Sequence, residues 1–142
     1  MSALLIVLAL TACGKSPEDK YREEFPKIDR QLVALAADVG EGLRSAGGSD
    51  DSALARRFGR YAGRLADLRR RLGDLEVPDR LSKDHDALLA AMAATRRALA
   101  DVAGAAERGD AAAAREAATR LVREAERLNA ARAELAAAVR RL

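Results

Sequence analysis

The sequence predicts an all-α protein, an antiparallel up-down-up-down four-helix bundle. Alanine, leucine and arginine are abundant, aromatic residues make up 3% and Trp is absent, a composition typical of long helices with an aliphatic core. Four segments repeat apolar residues at steps of three and four, the spacing of one helix face. Short loops separate these segments, which favours antiparallel neighbours. The alternative is a three-helix bundle with a detached first helix.

The first two predicted helices each repeat apolar residues at steps of three and four, and the second has the most regular pattern. Residues 21–43 place an apolar side chain on one face at every turn, although Pro26 lies inside this run and should kink the helix or mark its start. Residues 46–52 are rich in Gly, Ser and Asp and form the first predicted loop. Residues 54–75 then repeat the pattern, with Tyr61 among the core-facing positions.

The third and fourth predicted helices continue the same pattern. Core-facing residues recur over 81–102, after a turn around Pro78, and again over 114–142. Between them Gly109 suits the C-terminal cap of one helix and Asp110 the N-cap of the next. Alanines at core-facing positions of the last helix should let its neighbours approach closely.

The charge pattern argues against a nucleic-acid partner. Net charge is +3, from 25 basic and 22 acidic residues, and the two signs are interspersed along the chain. A nucleic-acid-binding protein would gather its basic residues on one face of a recognisable module. The arginine-bearing helix faces are compatible with anionic lipid headgroups or an anionic envelope polymer; the alternative is an ordinary solvated surface.

The first 12 residues have the pattern of a signal peptide. An apolar run over residues 3–10 is followed by small residues. A bilayer span needs about 20 apolar residues, and charges begin at Lys15, so this segment is too short to be a mature transmembrane helix. No Lys or Arg precedes the run; a start placed too far downstream would account for that.

The apolar run ends in Leu10-Thr11-Ala12-Cys13, which resembles the lipobox of bacterial lipoproteins. The motif spans four residues and contains the only cysteine of the chain. The resemblance implies cleavage between Ala12 and Cys13 and a diacylglycerol attached to the Cys13 sulfur as a thioether. Because one acyl chain binds membranes only weakly, two or three chains make the anchor stable. The alternative is an ordinary apolar helix with Cys13 as a small core residue.

This resemblance divides the chain into a signal peptide (1–12), a lipidated cysteine with a short tether (13–18) and a helical-bundle domain (19–142). It also implies a location in the cell envelope. In bacteria with two membranes, Asp after the cysteine favours the inner membrane, whereas this chain has Gly14. We therefore expect the periplasmic face of the outer membrane, or the outer face of the cytoplasmic membrane where there is only one.

His85 is the only histidine and occupies a predicted core-facing position. Folding the helices back at their loops places it level with Ile28, Leu68 and Arg132. His85 and Arg132 would then form a site between helices for an anion or small ligand, and His85 would change charge near neutral pH. The alternative is a partly exposed histidine near the bundle end that makes one hydrogen bond.

The sequence shows no catalytic, cofactor or metal motif. Di-iron bundles require Glu-x-x-His pairs on two helices, and one histidine cannot supply them. Met92 lies seven residues after His85, about 10 Å along a helix, so the two cannot share a metal ion. Cys13 is expected to carry lipid and is therefore not a nucleophile. We expect a protein that is not an enzyme and needs no cofactor.

Two functions are compatible with these features. The first is a lipid-anchored interaction or structural module of the cell envelope, which docks a partner protein or anionic polymer. The second is a periplasmic sensor or carrier of a small ligand, with its site near His85 and Arg132.

Overall fold

The computed structural model describes residues 14–142, so the predicted signal peptide and Cys13 lie outside the described residues. Four α-helices account for most of this part of the chain, and short 3₁₀ turns at Ala46–Gly48 and Asp79–Leu81 occupy the first two connections. The helices are α1 (Pro17–Arg44), α2 (Asp51–Gly73), α3 (Ser82–Glu107) and α4 (Ala111–Arg140).

Each helix packs against its neighbour in the chain, and α1 closes the bundle by packing against α4. This arrangement confirms the predicted four-helix bundle. The alternative with a detached first helix is wrong, because α1 buries a continuous stripe of apolar side chains. These are Tyr21, Phe25, Ile28, Leu32, Leu35 and Val39.

The core is aliphatic through most of its length, as the composition indicates. Removing these side chains from water is the main force that holds the four helices together. The buried aromatic rings lie nearer the ends of the bundle. Tyr21 and Phe25 are in the first third of α1, and Phe58 is in the first third of α2. The largest fully buried side chains include Leu65, Leu72, Leu81, Leu88, Met92, Leu99, Leu121 and Leu135.

Three of the four helices begin at a side-chain cap. The Ser16 hydroxyl accepts a hydrogen bond from the Asp19 amide at 3.1 Å, and the Asp50 and Asp110 carboxylates accept from amides three residues ahead. Each cap satisfies an amide that has no partner within its helix. Gly109 adopts φ 65°, the left-handed conformation that ends α3. The predicted roles of Gly109 and Asp110 are thus confirmed.

Several boundaries differ from the predicted ones. Helix α1 begins at Pro17, so only residues 14–16 of the predicted 13–18 tether precede it among the described residues, and it continues through Pro26 to Arg44. In α2, Ala62 is buried and Tyr61 only half-buried. The Tyr61 ring instead lies at the α1–α2 edge over Gly42, where an added Cβ would be 3.1 Å from Tyr61 Cε2.

Two adjacent leucines of α3 provide a test of this core. Leu88 is fully buried, whereas Leu89 is half-buried at the margin. We expect Leu88→Ala to lower the free energy of unfolding by about 2–5 kcal/mol, since it leaves a cavity. Leu89→Ala should cost roughly 1 kcal/mol, because less apolar surface is lost. Urea unfolding followed by circular dichroism measures both; equal losses would contradict the described orientation of α3.

Candidate functional site

An apolar cleft of about 410 Å³ opens between α1 and α4. It extends over residues 32–43 of α1 and residues 122–132 of α4. Val33, Ala36 and Gly40 line its α1 wall, Val122, Ala125 and Leu128 line its α4 wall, and Leu65, Thr95 and Leu99 of α2 and α3 form its floor.

The cleft exists because the middle of α4 does not close against α1. Between Leu121 and Leu135, no residue of α4 is buried. Helix α4 lies closer to α3 than to α1, and both α3 and α4 bury alanines, which permit a close approach. On the α1 side, Ala36, Gly40 and Ala125 are too small to span the remaining gap.

Two valines make the rims of the cleft apolar as well as its floor. Val33 is 49% exposed and Val122 is 46% exposed. Among residues 14–142, these two are the large hydrophobic side chains that are exposed to solvent. Both line the cleft. Single exposed valines are ordinary on a protein surface, but two that border one apolar cleft mark a candidate binding site.

Polar groups gather at the end of the cleft that is nearer the start of α1. Arg132 Nη1 donates to Asp29 Oδ1 at 2.9 Å, and these two side chains are each 22% exposed. Arg132 Nε and Nη2 donate to Asn129 Oδ1 at 3.3 and 3.1 Å. Glu126 is the other charged residue of the lining. The floor hydroxyl of Thr95 lies 2.9 Å from the Ala91 carbonyl of α3 and 3.2 Å from the Glu124 carbonyl of α4, so its hydrogen-bonding capacity is used by the backbone of these two helices.

His85 lies elsewhere, in a buried polar pair with Tyr21. The Tyr21 hydroxyl and His85 Nδ1 share a hydrogen bond of 2.8 Å, and both residues are buried. Burial lowers the pKa of His85 below its usual value and outweighs the opposing effect of the Asp86 carboxylate. Burial also raises the pKa of Tyr21. Both side chains are therefore neutral near pH 7, and the pair connects α1 to α3.

The structure does not bring His85 and Arg132 together. Their partners on α1, Tyr21 and Asp29, are eight residues apart, which is about 12 Å along a helix. The predicted placement of His85 beside Ile28 is not what the structure shows, since His85 bonds to Tyr21, seven residues before Ile28 on α1.

An ion pair between Arg80, just before α3, and Glu18, in the first turn of α1, lies at the same end of the bundle as the Tyr21–His85 pair. A single histidine hydrogen bond, the simpler alternative for His85, is what the structure shows, although the side chain is buried rather than partly exposed. Arg132 lines the cleft and His85 does not.

The sequence reasoning did not find the cleft. The cleft leaves only weak signals in the sequence. Val33 and Val122 lie just outside the predicted core-facing positions. Ala36 and Gly40 are small residues that are also common on helix surfaces. Asp29, which pairs with Arg132 from α1, was also missed, since its partner is 103 residues away.

Other kinds of site have less support in the part of the chain that the structure describes. Among residues 14–142, no group of three His, Cys, Asp or Glu side chains is placed to hold a metal ion. Within the same residues, no helix combines the length and apolarity needed to cross a bilayer.

No family model, no curated protein and no solved structure matches this chain. The lipobox-like motif and the geometry of the cleft are therefore the basis for a functional assignment.

The buried pair predicts a pH dependence of stability. Unfolded His85 takes up a proton near its ordinary pKa of 6.5, whereas folded His85 does so only at lower pH. The contribution of His85 to stability is therefore complete above the ordinary pKa of 6.5, and it is lost as the pH falls from there through the lower pKa of the folded state. Between about pH 7.5 and about pH 5, we expect the wild type to lose more stability than His85→Asn, which retains an acceptor that does not titrate.

Tyr21→Phe is the companion variant. It removes the hydroxyl and leaves His85 Nδ1 buried without this partner, which should cost about 1–3 kcal/mol at neutral pH. Urea unfolding at both pH values measures all three proteins. If the wild type and His85→Asn show the same pH dependence, His85 does not titrate as described.

Proposed function

We propose that this chain is a lipid-anchored lipoprotein of the cell envelope whose helical bundle binds an apolar ligand in the α1–α4 cleft. The observation that carries the proposal is the cleft itself, an apolar opening into the bundle bordered by Val33 and Val122. Its volume of about 410 Å³ falls in the usual range of small-molecule sites, roughly 300–1,000 Å³.

The cleft supports ligand binding better than the site predicted from His85. Apolar surface that is open to water is stabilised when a ligand covers it. The polar groups at one end would orient such a ligand, as is usual in apolar sites with few polar groups. His85 is excluded from this role because its hydrogen bond to Tyr21 is internal to the bundle.

The anchor supports an envelope location. The lipobox-like motif would place lipid on Cys13, and α1 begins at Pro17, so the start of α1 would face the membrane. Asp29 is 12 residues further along α1, about 18 Å. The polar end of the cleft would then be its membrane-proximal end.

A second candidate is the docking of a partner protein, as an interaction module would do. Exposed Val33 and Val122 favour it, since an amphipathic helix can lay its apolar face along such a groove. An envelope protein is the partner expected in that case.

Crosslinking from Val33 and Val122 in membranes would give a defined protein adduct if this second function holds, and lipid adducts alone if the first does.

Lipidation is tested by mass spectrometry of protein extracted from membranes. We expect the mature chain to begin at Cys13 and to carry the mass of a diacylglycerol, with or without a further acyl chain on its amine. Cys13→Ser should abolish both the modification and membrane retention. An unmodified chain that retains residues 1–12 would overturn the anchor without affecting the cleft.

Ligand binding is tested in the full-length protein reconstituted in phosphatidylcholine vesicles. We expect dodecanol carrying a photoreactive diazirine in its chain to label cleft residues, since a neutral chain needs only the apolar walls. Ala125→Leu narrows the middle of the cleft and should reduce this labelling severalfold. Ala130→Leu is the matched control, because Ala130 is exposed on α4 and does not line the cleft. Equal labelling of both variants would contradict a binding site in the cleft.

A further inference from the structure

We infer that the ligand is a single-chain fatty acid whose alkyl chain lies along the cleft and whose carboxylate is bound by Arg132. This inference rests on the proposed function and names the chemical class of its ligand. It follows from the lining, length and polar end of the cleft and from the donors that Arg132 still offers.

The lining suits a saturated chain. It consists mainly of Leu, Val, Ala and Gly side chains and contains no aromatic ring, so it offers no surface for stacking a planar ligand. From Leu32 to Leu43 the cleft follows α1 for 11 residues, about 16 Å. An extended alkyl chain advances roughly 1.3 Å per carbon, given C–C bonds of about 1.5 Å. About 12 carbons would therefore fill the cleft.

Arg132 suits a carboxylate. A guanidinium has five N–H donors in a planar fork, and three of those of Arg132 are used by Asp29 and Asn129. Within residues 14–142 the other two, one on each terminal nitrogen, have no hydrogen-bond partner. Each terminal nitrogen of Arg132 therefore keeps one N–H for a further acceptor, and a carboxylate is the acceptor that a guanidinium binds most strongly.

The remaining charges of the cleft fix the direction of the ligand. Glu126 lies six residues before Arg132 on α4, about 9 Å away along the helix, and would repel a carboxylate bound there. Asp29 offsets part of the Arg132 charge. The carboxylate of a ligand and that of Asp29 therefore compete for one guanidinium, and this competition gives a test with effects of opposite sign.

A second copy of this chain does not suit the cleft. Two copies would present the same concave surface to each other, and neither would supply a projecting apolar group to fill it. A fatty acid needs no projecting surface, and the membrane proposed for the anchor would bring the chain within reach of single-chain amphiphiles.

The experiment compares two photoreactive ligands that differ only at the headgroup, dodecanoic acid and dodecanol with the diazirine at the same carbon. Both are titrated against full-length protein in phosphatidylcholine vesicles, and labelling of the cleft is quantified by mass spectrometry. Arg132→Gln should raise the half-saturating concentration of the acid about tenfold, the loss expected for a charge-assisted hydrogen bond. It should leave that of the alcohol within about twofold.

Asp29→Asn should have the opposite effect, since it removes the competing carboxylate and frees Arg132 for the acid. We expect a half-saturating concentration several times lower for the acid and unchanged for the alcohol. Arg127→Gln is the matched control, because Arg127 is an exposed arginine of α4 that pairs with Glu124 and does not line the cleft. A purely structural role of the Arg132–Asp29 pair would instead make both variants change in the same direction for both ligands.

The outcomes separate the inference from the proposed function. If dodecanol labels the cleft but acid and alcohol respond alike to Arg132→Gln and Asp29→Asn, the fatty-acid inference is overturned. The proposal that the cleft binds an apolar ligand is then still supported. If neither ligand labels the cleft in the wild type, the proposed function itself fails. Labelling by dodecanol in Arg132→Gln also shows that this variant is folded.

Discussion

The close packing of α4 on α3 determines where this bundle is closed and where it is open. Small side chains at core-facing positions let two helices approach each other, but they cannot also reach a third helix. Helix α4 has alanines along much of its length and lies near α3. Its middle therefore stands away from α1, and the gap is continuous with the floor formed by Leu65 and Leu99. The cleft is a consequence of how α4 divides its contacts between two neighbours.

Two polar pairs hold α1 in place on one side of this gap. Tyr21 and His85 join α1 to α3 in the buried end of the bundle, and Asp29 and Arg132 join α1 to α4 nearer the surface. Removing one partner of the buried Tyr21–His85 pair destabilises the fold, because the other partner is left without a hydrogen bond. Beyond Asp29 the face of α1 towards α4 carries small or apolar residues, and the cleft begins there. The pairs thus connect α1 to α3 and α4 while leaving the cleft accessible.

Apolar spacing was enough to predict four helices and most of their buried residues, since burial of one face follows directly from helical periodicity. Gly109 and Asp110 were predictable for a local reason, as caps depend on residues adjacent in sequence. The pairing of His85 with Tyr21 was not predictable. It depends on how the α2–α3 connection positions the start of α3, and the 3₁₀ turn in that connection is not visible in the apolar pattern.

The cleft escaped prediction for a related physical reason. Periodicity shows which residues face the interior, but it does not show whether the interior is filled. Ala125 and Leu128 face inward as predicted and yet remain partly exposed, because the side chains opposite them on α1 are too small. Whether a core is filled depends on the sum of side-chain volumes across several helices, and protein interiors are packed nearly as densely as crystals. In this fold the small residues Ala36, Gly40 and Ala125 leave apolar surface of the cleft in contact with water, which costs stability that larger apolar residues at these positions would restore.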